Sequence, residues 1–239
     1  IAILEEINSE ELIEKMKKYY FDNVFCNSSS CKEITQNTQN QNTQIWLNQR
    51  KCRLTSSFFG KVCKLKLILG NNNKKNLAYT IISQNDFNNS KQITYGKTNE
   101  EKVRKLYEEQ KKDENIKVEK IGLLISLKFP FLGTSPDGIV TINNIPQGII
   151  EIKCPYSAQE DTLKEYLKKK DSYLEMVNEN EIHLKKNHNY YYQILGQLLI
   201  IKEFHNIKWW DFVVFFPKEK NFYIERIFYD KKFKGKLIY

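Results

Sequence analysis

The sequence has no apolar run approaching the roughly 18 residues that a membrane-spanning helix requires. Residues 1–20 alternate acidic and apolar side chains, a pattern unlike that of a secretory signal peptide. The five cysteines are odd in number and include no CxxC pair, which favours free thiols in a reducing compartment over zinc or disulfide chemistry. We therefore expect an intracellular protein, nuclear or cytoplasmic, with no membrane partner.

Acidic side chains are fewer than basic ones, with 29 Asp and Glu against 38 Lys and Arg, which gives a formal net charge of +9. This excess suits a polyanionic partner, and nucleic acid is the leading candidate. Residue 1 is Ile rather than Met, so we expect the chain to be a fragment of a longer protein. Its 239 residues, 41% of them hydrophobic, suffice for one large domain or two small ones.

The N-terminal 44 residues differ in composition from the rest of the chain. Apolar residues at helical spacing predict a helix over residues 3–21. The next segment, residues 27–44, is rich in Asn, Gln, Ser and Thr and predicts a loop or linker. We divide the chain accordingly into residues 1–44, a helix with a polar linker, and residues 45–239, the main domain.

The main domain mixes helical and strand patterns. Thr98 or Asn99 is the expected N-cap of one helix, and the charged residues 171–188 predict an inserted loop or short helices. Helices before, between and after a small group of strands predict a mixed α/β (α+β) fold. Helices are predicted from residue 44 and over 97–112, 160–170 and 189–204, and strands over 116–128, 138–142, 148–154, 208–217 and 222–230.

One predicted hairpin, 135-SPDGIVTINNIPQGIIEIKCP-155, carries charge where a core is expected. Its strands are joined by residues 143–147, with the centre near Asn144. Partner positions in an antiparallel pair add to a constant, so this centre places Asp137 opposite Glu151. Their β-carbons would then lie about 5 Å apart. Lys153 follows Glu151 by two positions and therefore projects from the same face.

Two opposed carboxylates repel each other unless a cation lies between them. Hard oxygen ligands at this spacing suit Mg²⁺ or Mn²⁺, which bind one or two carboxylates, several waters and a substrate phosphate. A neighbouring lysine can orient an attacking water or help to deprotonate it. A Glu-x-Lys alone also occurs by chance as a salt bridge, but its pairing with Asp137 across the hairpin favours a divalent-cation site that could act on a phosphate.

Asp…Glu-x-Lys on a hairpin is similar to the signature of the PD-(D/E)xK nuclease superfamily. SPDG followed by EIKCP resembles, more specifically, the YqaJ-type viral recombinase family, which is lambda-exonuclease-like. The resemblance covers residues 45–230. It implies a restriction-endonuclease-like core, in which a central mixed β-sheet is flanked by helices.

Three further segments match the motifs of this family. Trp46 and Arg50, followed by 55-TSS-57, resemble its Trp-x-x-x-Arg…Thr-Ala-Ser segment. The match implies that Arg50 and Ser57 contact the 5′-terminal phosphate of DNA, and the nearby Arg53 could share that role. Ser56 stands where the family has Ala.

Gly96 and Glu100 resemble the Gly-x-x-x-Glu motif of the family at a helix start, with Glu101 as the alternative glutamate. In the family this glutamate lies beside the metals. Residues 190-YYYQ-193 resemble its Tyr-x-x-Gln helix, which makes Gln193 the active-site glutamine.

The resemblance implies a complete set of roles. Asp137, Glu151 and the Ile152 carbonyl would hold Mg²⁺, for which Mn²⁺ would substitute, and Glu100 would support a second metal or its water. Lys153 and Gln193 would position the attacking water. The expected activity is 5′-to-3′ digestion of linear, 5′-phosphorylated duplex DNA during recombination, with a single-strand annealing protein as partner and a trimeric ring as the oligomer.

Three alternatives to this activity remain open. The same core could act as an endonuclease or nickase, or the chain could be a DNA-binding module that has lost catalysis, or a basic RNA-binding protein. The gene could come from a virus or a mobile element, or be a cellular gene derived from one.

A few other residues are expected to be structural. His183 and His188 lie in a charged segment and are expected on the surface. Cys154 points to the strand face opposite the lysine, which predicts a core position rather than a nucleophile. One of Trp209 and Trp210 is expected to pack in the core rather than stack on DNA.

Overall fold

The structure, a computed structural model, describes residues 9–41, 43–65, 71–82, 90–179 and 181–228. None of the helices in these ranges combines the length and apolar character needed to cross a bilayer. The helices are α1 (Ser9–Asn23), α2 (Ser28–Asn37), α3 (Gln44–Lys51), α4 (Ser56–Cys63), α5 (Asn71–Ile82), α6 (Lys91–Gln110), α7 (Leu163–Tyr166) and α8 (Asn189–Ile201). The strands are β1 (Leu54–Thr55), β2 (Ile116–Glu119), β3 (Leu124–Ile125), β4 (Leu132–Thr134), β5 (Gly138–Ile142), β6 (Ile145–Lys153), β7 (Leu174–Asn178), β8 (Glu181–Leu184), β9 (Trp209–Phe216) and β10 (Asn221–Phe228).

A five-stranded sheet of order β10-β9-β6-β5-β2 forms the centre of the domain. β6 and β9 are parallel, whereas the other neighbours are antiparallel. Every residue of β9 is buried, because both faces of this interior strand are covered and its sequence is almost continuously apolar. The predicted mixed α/β fold with a central mixed sheet and flanking helices is confirmed.

Helices cover both faces of this sheet. Alternate residues of β9 point to opposite faces, as in any strand. Trp210, Phe212 and Val214 pack in one cluster with residues of α4 and α8. Trp209, Val213 and Phe215 pack in a second cluster with residues of α6. Both tryptophans are therefore core residues.

The hairpin of β5 and β6 has the predicted register but a different turn. Gly138 pairs with Ile150, as expected from a centre near Asn144. The connection is only Asn143-Asn144, both with positive φ (52° and 61°), as in a type I′ turn. The predicted loop over 143–147 is wrong, because β6 begins at Ile145 and a register shift beside Val140 takes up the extra residue.

The polar segment after α1 is a helix, so its prediction as a loop or linker is wrong for residues 28–37. Asn27 caps α2 by accepting a hydrogen bond from Ser30 N at 2.9 Å. The helix packs on β3 through a few residues at helical spacing, among them the fully buried Cys31. Cys26 and Cys31 are free thiols with their Sγ atoms 2.7 Å apart. They share a cluster with Trp46, Leu47, Leu123 and Ile125.

Other element boundaries also differ from the predictions. α6 begins at Lys91 with Ser90 as its N-cap, so Thr98 and Asn99 lie inside the helix and do not cap it. The helix predicted over 160–170 is confined to Leu163–Tyr166. Residues 171–188 contain the β7–β8 hairpin rather than a loop or short helices. Residues 3–8 of the first predicted helix, and 229–230 of the last predicted strand, lie outside the described residues.

The packing of α2 on the main domain is tight enough to be tested at Gly122. A β-carbon on Gly122 would lie 2.0 Å from the backbone oxygen of Thr35 in α2. Gly122→Ala should therefore push α2 away and lower the free energy of unfolding, measured in urea, by about 1–3 kcal/mol. A matched control is Gly96→Ala in α6, where a β-carbon meets no atom within 4 Å. It should raise stability by about 0.5–1 kcal/mol. Wild-type stability of Gly122→Ala would show that α2 is not docked in this way.

Candidate active site

Asp137 lies immediately before β5, at the end of the hairpin opposite the turn. Its Oδ2 atom accepts a hydrogen bond from Ile152 N on β6 at 2.6 Å. The aspartate is therefore fixed to the strand that carries Glu151 and Lys153. The register of the hairpin brings these side chains together.

Glu151 is only 2% exposed, and hydrogen-bond donors surround its carboxylate. Oε1 accepts from Lys153 Nζ at 2.5 Å and from Gln193 Nε2 at 2.6 Å. Oε2 accepts from Gln197 Nε2 at 2.6 Å. Three donors, one of them charged, thus offset the cost of burying the carboxylate.

Gln197 was not among the predicted site residues, although it donates a hydrogen bond to Oε2 of Glu151. It is fully buried, one helical turn after Gln193 on α8, and its Oε1 accepts from Trp210 Nε1 at 2.8 Å. Because the indole can only donate, it directs the NH₂ group of the amide toward Glu151. The spacing of Gln193 and Gln197 in the sequence was the available signal, since residues four apart share a helix face.

Arg104 is a second residue that the sequence did not reveal. It is buried on α6 and forms ion pairs with Glu100 at 2.7 Å and Glu101 at 2.5 Å. It also donates to the backbone oxygen of Asp137 at 3.0 Å. Arg104 therefore ties the glutamates of α6 to the aspartate of the hairpin.

The two candidate glutamates of α6 have different surroundings. Glu100 lies near enough to Asp137 and Glu151 for their charges to interact. Glu101 is more exposed and pairs with Lys120 at 2.8 Å as well as with Arg104. The structure thus places Glu100 closer to the carboxylates of the hairpin than its alternative.

Burial and like charge make the cluster electrostatically strained. Burial, together with the charges of Glu151 and Glu100, raises the pKa of Asp137 well above its usual range. Burial also raises the pKa of Glu100, a shift that Arg104 opposes and Glu151 increases. Burial lowers the pKa of Lys153, but the electrostatic interactions with Glu151, Tyr190 and Asp137 together outweigh it and raise that pKa. The lysine is accordingly a cation.

Aromatic side chains support the lysine. Lys153 Nζ lies 4.6 Å from the centre of the Tyr190 ring, a cation–π contact. His188 packs against the same ring at 4.6 Å and caps α8 by accepting from Tyr190 N. His188 is thus a partly buried capping residue rather than the surface residue expected. The ring nitrogens of His183 lie 2.8 and 2.9 Å from carboxylate oxygens of Glu181 and Glu225.

Two adjoining cavities open onto this cluster. A cavity of about 290 Å³ contains Lys153, Tyr190 and Cys154 in its wall, and a second of about 230 Å³ contains Arg104 and Lys120. Burial raises the pKa of Cys154 to about 12, so its thiol stays protonated and is a poor nucleophile. Both cavities are lined by Lys97, Glu100 and Asp137.

The donor set fits a hard divalent cation. Within the ranges that the structure describes, no three His, Cys, Asp or Glu side chains converge closely enough to enclose a metal by themselves. Mg²⁺ does not require such a cage, because it retains waters and uses one or two carboxylates. Asp137, with its raised pKa, and the adjacent Glu151 are carboxylates whose charge a cation would stabilise.

A second group of predicted residues lies around α3. The guanidinium of Arg50 stacks on the Trp46 ring at 4.1 Å and donates to Thr55 Oγ1 and Ser57 Oγ, both at 3.3 Å. Trp46 Nε1 donates to Ser135 Oγ at 3.0 Å, two residues before Asp137. The structure therefore brings Arg50 and Ser57 together and links them to the segment that carries Asp137.

Arg53 does not belong to this group, which corrects its prediction as a DNA contact. The residue is 2% exposed. Its guanidinium donates to the backbone oxygens of Pro130, Gln49 and Val24 at 2.8–3.1 Å. With its donors directed at buried carbonyls, Arg53 joins α1, α3 and the segment before β4.

Comparisons with solved structures show the same fold in exonucleases. The alkaline exonuclease LHK-Exo from Laribacter hongkongensis has a TM-score of 0.55 at 22% identity, over 82% of this chain and 89% of that chain. The structure of LHK-Exo in complex with dAMP has a TM-score of 0.57 at 21% identity, over 82% of this chain and 87% of that chain. A SOX–DNA complex has a TM-score of 0.54 at 15% identity, over 87% of this chain and 68% of that chain. SOX is the shutoff and exonuclease protein of the Kaposi's sarcoma-associated herpesvirus.

The sequence itself matches one family. No curated protein matches the chain. Residues 45–202, more than half of its length, match the model of the YqaJ-like viral recombinase domain. The matched range contains the whole hairpin, α6 and α8. The chain therefore belongs to the YqaJ-like viral recombinase domain family.

Proposed function

We propose that this protein is a Mg²⁺-dependent deoxyribonuclease that digests linear duplex DNA from 5′-phosphorylated ends. The observation that carries the proposal is the cluster of Asp137, Glu151 and Lys153, which gathers a half-buried and a buried carboxylate with a cation at the edge of a cavity. Buried like charges are costly unless a ligand compensates them. Such clusters of perturbed titratable groups occur most often at functional sites.

The family and the solved relatives support this activity. The chain belongs to a recombinase family, and LHK-Exo and SOX are both described as exonucleases. One relative is bound to DNA and another to dAMP. The net charge of +9 suits the same polyanionic substrate.

Asp137 and Glu151, with the Ile152 carbonyl, would hold the metal, and Glu100 would support a second ion or its water. A bound Mg²⁺, or Mn²⁺ in its place, supplies Lewis-acid stabilisation of charge on the phosphate and lowers the pKa of bound water. Gln197 and Trp210 keep the Glu151 carboxylate in one orientation. This fixed orientation lowers the reorganisation needed when the substrate arrives.

Lys153 and Gln193 would position the attacking water. Both donate to the same oxygen of Glu151, so both end at one side of the carboxylate. The raised pKa of Lys153 keeps its proton in place, which favours orienting the water over removing its proton. The lysine also adds positive charge beside the scissile phosphate.

Arg50 and Ser57 would bind the 5′-terminal phosphate. Burial lowers the pKa of Arg50 to about 10, which leaves the guanidinium charged at neutral pH. Its stacking on Trp46 fixes the plane of the guanidinium, and Ser57 is exposed beside it. A fixed guanidinium with a hydroxyl suits bidentate recognition of phosphate.

Digestion from the 5′ end would leave 3′ single strands. Such strands are substrates for a single-strand annealing protein in recombination, and a ring-shaped trimer would enclose the duplex. An endonuclease or nickase on the same core is the second candidate, since the catalytic cluster alone does not require a DNA end. A catalytically inactive binding module is disfavoured, because the aspartate, glutamate, lysine and glutamine of the motif are all present.

The activity is tested with linear 5′-phosphorylated duplex and covalently closed circles, each in Mg²⁺ and in EDTA. We expect Mg²⁺-dependent loss of the linear DNA alone. Lys153→Ala should lower the rate by about 100-fold, a typical cost of removing one charge-stabilising donor. Lys164→Ala, an exposed lysine on α7, is the control and should match the wild type. Cleavage of circles would favour the endonuclease, and no cleavage of either substrate would exclude a nuclease.

The separate roles of the two arginines are tested by alanine substitution. Arg53→Ala should lower the free energy of unfolding by roughly 3 kcal/mol, because buried carbonyls lose their donors. Arg50→Ala should change stability far less but lower the preference for 5′-phosphorylated over 5′-hydroxyl ends by about tenfold. Urea unfolding and fluorescence anisotropy measure the two effects. An unchanged end preference in Arg50→Ala would contradict its phosphate contact.

A further inference from the structure

A short polar segment outside the family match forms one wall of the active-site cleft. Residues 39–41 (Gln-Asn-Gln) follow α2 and line the cavity of about 230 Å³. That cavity shares Lys97, Glu100 and Asp137 with the larger cavity beside Lys153. The family match begins only at residue 45, so it assigns no role to this segment.

The structure fixes this segment at both ends. Before it, Thr38 is fully buried, and its hydroxyl accepts from Leu123 N at 2.8 Å and donates to Ile34 O. At its end, the amide of Gln41 donates to the backbone oxygens of Ile121 at 3.2 Å and Pro136 at 3.0 Å. Pro136 precedes Asp137, so the segment is anchored directly to the catalytic hairpin.

Anchoring leaves two amides exposed at the cleft. Gln39 and Asn40 are both exposed, whereas the donors of Gln41 are used for attachment. Four charged side chains of the same cavity are paired with one another, since Arg104 binds Glu100 and Glu101 and Lys120 binds Glu101. Neutral amides are not drawn into such ion pairs, so they can donate to an incoming ligand.

We propose that Gln39 and Asn40 bind the sugar–phosphate backbone of the DNA strand next to the phosphodiester held at Asp137 and Glu151. This inference rests on the proposed nuclease function, because it takes the shared cavities as one substrate cleft. Asn and Gln side chains are common donors to phosphate and sugar oxygens. The contact positions the strand through its backbone and does not depend on base sequence.

The test compares two double variants that remove the same residue types. Gln39→Ala/Asn40→Ala removes the cleft amides. Gln36→Ala/Asn37→Ala removes exposed amides on α2 that line neither cavity, so it is the matched control. Fluorescence anisotropy in EDTA gives the affinity for duplex DNA of two unrelated sequences, without hydrolysis.

The cleft variant should bind both duplexes about tenfold more weakly, because it loses the hydrogen bonds of two neutral amides. The control should bind like the wild type. The slope of affinity against salt should not change, because no charge is removed. Wild-type affinity of the cleft variant, an equal loss in the control, or a loss confined to one sequence would overturn the proposal.

The binding assay also separates this inference from the proposed function. If the wild type digests DNA but the cleft variant binds normally, the nuclease stands and the amide contact is wrong. If the wild type digests nothing but the cleft variant still loses affinity, the contact stands and the nuclease assignment fails.

Discussion

The structure depends on the placement of two carboxylates of like charge on one buried hairpin. Asp137 and Glu151 are brought together by the register of β5 and β6, and burial strengthens their repulsion. Groups from other elements compensate this cost. Gln193 and Gln197 of α8 donate hydrogen bonds to Glu151. From β6, Lys153 donates to Glu151 and the backbone amide of Ile152 donates to Asp137. Under the proposed function, a divalent cation would complete this arrangement.

The fold explains why these groups meet. β6 is an interior strand, so α8 packs over the face that carries Glu151 and α6 packs over the other. The parallel neighbour β9 places Trp210 where it fixes the amide of Gln197. Arg104 of α6 donates a hydrogen bond to the backbone oxygen of Asp137 at the end of the hairpin. Helices on both faces of the sheet and the sheet itself therefore contribute contacts to the same cluster.

The hairpin register could be predicted because it follows from local alternation and a turn, which are encoded within twenty residues. α2 was missed because its sequence is almost entirely polar, and only burial of Cys31 against β3 reveals its inner face. Arg53 was misassigned because spacing alone does not show that its donors meet backbone carbonyls distant in sequence. Arg104 depends on similar long-range contacts, which a single sequence does not specify, whereas the four-residue spacing of Gln193 and Gln197 does place both amides on one helix face.

The most direct measurement of the central claim is the thermal midpoint of wild type and Asp137→Asn, each in EDTA and in Mg²⁺. An asparagine oxygen can still accept from Ile152 N, but it removes the repulsion with Glu151. We expect Mg²⁺ to raise the midpoint of the wild type by a few degrees. At a Mg²⁺ concentration 100 times its Kd, binding adds about 2.7 kcal/mol to the free energy of unfolding. Asp137→Asn should be at least as stable as the wild type in EDTA and should not respond to Mg²⁺. An equal response of the two proteins, or none in the wild type, would contradict a cation site at this pair.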